Sequence, residues 1–148
     1  MDASSLEHST EPEIEFLILA DHVEAVNGKL YMIGGGLEHI GVGDFQSPIS
    51  LGLAVGISVP WSATNREHQV SVTVQNADAV PLAALDGQFN VGRPPTIEVG
   101  ASQRTIIAAK IPVTLSAEGA YVVMGKVNGR PGPRVTFQAV ALARQGIG

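Results

Sequence analysis

Between residues 49 and 59 the chain reads ISLGLAVGISV, and no other stretch fixes its own geometry so firmly. Ile49, Leu51, Leu53, Val55, Ile57 and Val59 recur at every second position. That is the spacing of a strand with one buried face, because successive strand side chains point to opposite sides. The intervening Ser50, Gly52, Ala54, Gly56 and Ser58 leave the second face nearly bare, so another part of the chain, a loop or a second subunit is expected to pack closely on it. HQVSVTVQN repeats the pattern, with Val70, Val72 and Val74 inward and Gln69, Ser71, Thr73 and Gln75 toward water.

Apolar alternation flanked by turn residues predicts further strands near residues 14–20, 29–33, 37–42, 84–91, 104–115, 120–127 and 134–143. NGK at 27–29, PWSATNRE at 60–67, GRPP at 92–95, SAEG at 116–119 and NGRPGP at 128–133 separate them with turn chemistry. No segment places apolar residues at helical spacing over any length; AVALARQ at 139–145 is the nearest, and it is short. The chain therefore reads as all-β, with eight or nine strands. Strands this numerous must close on themselves to cover their apolar faces, and the expected form is an antiparallel β-sandwich, immunoglobulin-like or C2-like. With 148 residues the chain suits one domain, expected over residues 13–148 behind a flexible acidic tail at 1–12.

Composition removes several functions. The absence of cysteine excludes a disulfide framework, a thiolate nucleophile and cysteine zinc sites. MDASSLEHSTEPEIE opens acidic and polar, without the basic start and apolar run of a secretory signal, which sets the expectation of a cytoplasmic location. Apolar runs all break well short of the roughly 20 residues a membrane helix needs. Nucleic-acid binding calls for a dense basic stripe with stacking aromatics, whereas the net charge is −5 and aromatics make up 5% of the chain. Acids gather in residues 1–44, at a net −8, and the remainder carries a net +3.

The candidate chemistry is sparse. Asp21 and His22 are adjacent, so on a strand they point to opposite faces and make a poor acid–base pair. Gly34, Gly35 and Gly36 precede no Lys-Ser or Lys-Thr and match no dinucleotide fingerprint, which leaves a bulge or bend as their reading. His8, His22, His39 and His68 show no ligand spacing to one another, so no metal and no cofactor are expected. No G-x-S-x-G marks a serine nucleophile. Arg93, stiffened by Pro94 and Pro95, could hold a carboxylate or phosphate, or else a nearby carboxylate or strand-end carbonyl. Trp61, the sole tryptophan, is expected to cap the core from a loop or to offer a contact platform.

EFLILADHVEAVNGKLYMIGGGLEHI, PWSATNREHQVSVTVQ, GQFNVGRPP and the nearby SQR together resemble a family of small bacterial proteins, common in actinobacteria, defined only as a domain of unknown function. The resemblance covers about residues 14–140 and implies a compact β-rich domain with no activity to carry over. The sequence thus points to a non-enzymatic interaction or assembly module, a homo-oligomer or the binder of a protein partner. Its small-residue face, Ser50, Gly52, Ala54, Gly56 and Ser58, is the expected interface. A small-molecule, carbohydrate-binding or hydrolytic cleft built from Asp21, His22, His39, His68 and Arg93 is the alternative. A calcium-dependent C2-like membrane-docking domain is weaker, since Asp21, Asp44, Asp78 and Asp86 stand apart in sequence.

Overall fold

The computed structural model describes residues 10–142. Its strands are β1 (Glu13–Ala20), β2 (His22–Val26), β3 (Lys29–Ile33), β4 (His39–Val42), β5 (Ile49–Val59), β6 (Glu67–Asn76), β7 (Pro81–Asn90), β8 (Gln103–Val113), β9 (Gly119–Val127) and β10 (Arg130–Ala141). A 3-10 turn at Trp61–Ala63 joins β5 to β6. The strands form a three-stranded sheet ordered β1-β5-β8, a five-stranded sheet ordered β4-β10-β9-β6-β7, and the separate hairpin β2-β3.

The all-β expectation holds, with ten strands among the described residues rather than eight or nine. The additional strand is β2, whose five residues bury only Val23 and so carry little apolar signal. Antiparallel pairing also holds, except that β4 runs parallel to β10, from Gln138 opposite His39 to Ala141 opposite Val42. Of the AVALARQ segment, Ala139–Ala141 belong to β10, and residues 143–145 lie outside the described residues.

β5 pairs with β8 without a break, from Ile49 opposite Val113 to Val59 opposite Gln103. Its Leu51, Leu53, Val55, Ile57 and Val59 face Val70, Val72 and Val74 of β6, Val123 and Val127 of β9 and Phe137 of β10 in one core that both sheets share. Full burial of each such side chain contributes about 1.5–3 kcal/mol. β1 is apolar on both faces because it serves two cores. A register shift between Ile14 and Phe16 sends Ile14, Leu17 and Leu19 into the main core. Phe16, Ile18 and Ala20 meet a smaller cluster with Val23, Leu30, Met32, Ala54 and Ala108 beneath the β2-β3 hairpin.

Turn chemistry sets both hairpins. Asn27 and Gly28 have φ of 50° and 74°, and Asn128 and Gly129 have 51° and 79°, the left-handed pair that the twist of a two-residue hairpin demands. Early in β9, the Tyr121 hydroxyl donates to the Ala117 carbonyl at 2.5 Å and accepts from the Ala117 amide at 3.1 Å, pinning the corner that leads into the strand. The glycine triplet is a bend, as the sequence suggests. Gly34 has φ of 66°, and a side chain there would collide with the Asp21 carboxylate. The Gly36 amide is spent on the Leu19 carbonyl at 2.8 Å, so it holds the chain against β1 rather than a phosphate.

Candidate interaction site

The bare face of β5 is covered from within the chain. Gly52, Ala54 and Gly56 are buried, Ser58 is half-buried and Ser50 is exposed. A Cβ on Gly52 would stand 2.6 Å from the Ala20 carbonyl oxygen, and one on Gly56 would overlap the Phe16 ring. The close approach that small residues permit is therefore made by β1 and by the β2-β3 hairpin, the first of the three occupants the sequence allows.

Asp21 follows β1 at one end of the sheet, where Ala20 pairs with Gly52. His22 is half-buried and contacts the exposed Glu24 at 3.2 Å, both on the outer side of the hairpin. Trp61 and Arg93 lie beyond the other end of β5, separated from Asp21 by most of that strand's length, on the order of 25 Å at ~3.3 Å per residue. The Arg93 guanidinium sits 4.0 Å above the Trp61 ring. Its Nε donates to Thr64 Oγ1 at 2.6 Å and its Nη2 to the Trp61 carbonyl at 2.8 Å. Arg93 thus holds a carbonyl of the 3-10 turn beyond β5, and the pair clamps the β5–β6 turn to the loop after β7.

His68 is 1% exposed. Its Nε2 meets the Ala63 carbonyl at 2.7 Å, and its Nδ1 lies 3.0 Å from the Asn128 amide nitrogen. The Ala63 carbonyl accepts from Nε2, and the Asn128 amide donates to Nδ1. Asn128 Oδ1 also accepts from the Gln69 amide at 2.9 Å, so the hairpin asparagine ties β9 to β6. Nothing in the sequence marks Asn128 beyond its turn signal. His39 starts β4 opposite Gln138, at the far end from His68, and His8 lies outside the described residues. The groups of the proposed polar cleft are thus distributed over both ends of the molecule. Asp44 caps its own turn through the Gln46 amide and the Ser47 hydroxyl, which hold its carboxyl below the usual range. Among the described residues no three His, Asp or Glu side chains are placed to hold a metal ion, and no helix is long and apolar enough to cross a membrane.

What the strand order does create is an open side. β7 ends one sheet and β8 ends the other, and among the described residues no strand pairs with the outer edge of either. Between them lies a slot of about 140 Å³ lined by Leu53, Val55, Val70, Val72, Leu85, Asp86, Gly87, Ile107 and Ala109. Its floor is the main core itself. The β8 edge carries Arg104 at one end and Lys110 and Pro112 at the other, but Thr105-Ile106-Ile107-Ala108-Ala109 between them has neither charge nor proline and is half-buried throughout. Sheet edges are ordinarily blunted by charge, proline or cover; these five residues carry no charge and no proline, and their cover is the β2-β3 hairpin, against which Ala108 packs.

The fold and this edge define a small all-β domain whose two larger sheets share one core and leave the edges β7 and β8 unpaired among the described residues. Over residues 15–140 the chain matches the model of a family of unknown function, DUF6941, and it belongs to that family. No curated protein matches it significantly. Among solved structures it is similar to Pseudomonas fluorescens alkylpurine DNA glycosylase AlkC bound to DNA containing an abasic site analog, at 13% identity and a TM-score of 0.47. That match covers 88% of this chain but only 30% of the glycosylase chain.

Proposed function

We propose that the protein is a non-enzymatic assembly module, an immunoglobulin-like sandwich that associates through the open side between β7 and β8. The observation that carries this is the apolar slot between two unpaired edges: a strand added there gains main-chain hydrogen bonds and covers the core at once. The neighbours β1-β5-β8 and β10-β9-β6 repeat the pairing of strands A, B and E and of G, F and C in immunoglobulin-like sandwiches, and Tyr121 stands where such domains place their tyrosine corner. The cysteine-free sequence suits a reducing compartment, which supports a cytoplasmic module. The test is the sedimentation of the full chain across a wide range of concentration, beside Ile107→Lys. A defined oligomer that the substitution reduces to monomer supports the reading, and an oligomer unchanged by it places association elsewhere.

A further inference from the structure

β5 and β6 are joined by a short turn and run in opposite directions, and each pairs antiparallel with its edge neighbour, so β7 and β8 also run opposite ways. Two copies can meet open side to open side in two symmetric manners. A two-fold axis perpendicular to the sheets sets β8 against β8 and β7 against β7. An axis parallel to the strands sets β7 of each copy against β8 of the other, and this rotation preserves both the direction and the height of every strand.

Charge separates the two arrangements. Asp86 is exposed on β7, and Arg104 and Lys110 are exposed on β8. Pairing β8 with itself about Ile107 would oppose Arg104 to Lys110, and pairing β7 with itself about Asp86 would oppose two carboxylates. The crossed arrangement brings Asp86 to Lys110. Both point away from the shared core, because Asp86 pairs with Ser71 and Lys110 with Gly52, the latter on the face that the β2-β3 hairpin covers in part while Lys110 stays exposed. Residues opposite one another in an antiparallel pair share a face. Asp86 also lines the slot together with Ala109, the residue before Lys110, so the two positions border the same opening. Neither side chain has an ion-pair partner among the described residues, whereas Arg104 is already held by Glu15 at 2.6 Å.

We infer that the partner at the open side is a second copy of this chain, bound about an axis parallel to the strands so that β7 pairs with β8 and Asp86 meets Lys110 twice per dimer. This rests on the assembly reading above. In the dimer the two slots face each other, and the two cores close into one.

The experiment is sedimentation of the wild type, Asp86→Lys and Lys110→Asp, separately and as an equimolar mixture of the two variants. Both changes are at exposed positions, and circular dichroism checks that each variant keeps the wild-type spectrum. Each variant alone sets like charges opposite each other at both junctions, so its dimer weakens roughly tenfold at low salt, and high salt removes most of that difference. In the mixture every junction regains an opposite pair, and a mixed dimer forms with close to wild-type affinity. A Lys110→Asp variant that dimerises more tightly than wild type overturns the crossed pairing in favour of like-with-like edges. A wild-type dimer abolished by Ile107→Lys but indifferent to both reversals overturns the crossed pairing alone and leaves the open side as the interface. A monomer at every concentration overturns self-association, whether or not the edge takes a foreign strand.

Discussion

Along the seam between β1 and β10 the two sheets are locked together by fitted side chains, while along the seam between β7 and β8 their edges approach without pairing. The locked seam is built by subtraction. Ile14 Cδ1 lies so near Gly125 and Gly132 that a Cβ on either would come within 2.8 or 2.9 Å of it, so the missing side chains make the notch that Ile14 fills. Pro12 is buried beside it, Glu13 reaches Arg130 of β10 at 3.8 Å, and Glu11 holds Arg66 at 2.9 Å. On the other side Ile107, Ala109 and Leu85 are only half-buried around the slot they line. The same number of layers thus closes on one side by shape and stays open on the other. One seam serves stability and the other is available for a partner.

Substitutions that break this contrast differ in size. Ile14→Ala empties the notch of the closed seam and is expected to lower the unfolding free energy by about 2–5 kcal/mol in urea titration, the range for buried aliphatic truncations. Gly132→Val overfills the same notch and is expected to cost about 1–3 kcal/mol, measured the same way. On the open side, Ile107→Lys is expected to cost no more than about 1 kcal/mol of monomer stability, because its ammonium reaches water, while it abolishes association. Urea titration of the dilute monomer separates the two effects.

The smallest effect concerns Glu15, whose carboxyl the Arg104 guanidinium holds below the usual range, first by hydrogen bonding and then by charge. A depressed folded value contributes stability that is complete above the ordinary carboxylate value near 4.3 and fades as pH falls through the folded value. Arg104→Gln is therefore expected to leave thermal stability slightly lower at neutral pH and equal to wild type in strong acid. A difference that grows on acidification would contradict the pairing.

The strands themselves were legible, because a two-residue period needs only local residues to be read. Residues 49–59 and Val70, Val72 and Val74 took the faces their spacing required, and both Asn-Gly turns formed hairpins. The parallel run of β4 beside β10 was not legible, since no local pattern records which distant strand a segment joins. Nor was the fate of the bare β5 face, where the sequence shows the need for cover but not that β1 and the hairpin supply it. Trp61 and Arg93 could each be singled out, but their stacking depends on two loops that only the folded strand order brings together. The slot is the extreme case. Leu53 and Val70 both read as core, and the open side follows from β7 and β8 being edges, a property of topology alone.

The most direct measurement is amide hydrogen exchange of the full chain, residue by residue, at two protein concentrations. The account expects β1 and β10 to be equally protected at both, and the outward amides of β7 and β8 to exchange quickly when dilute and slowly when concentrated. Edge amides whose protection does not change with concentration, or a change confined to the β2-β3 hairpin, would contradict it.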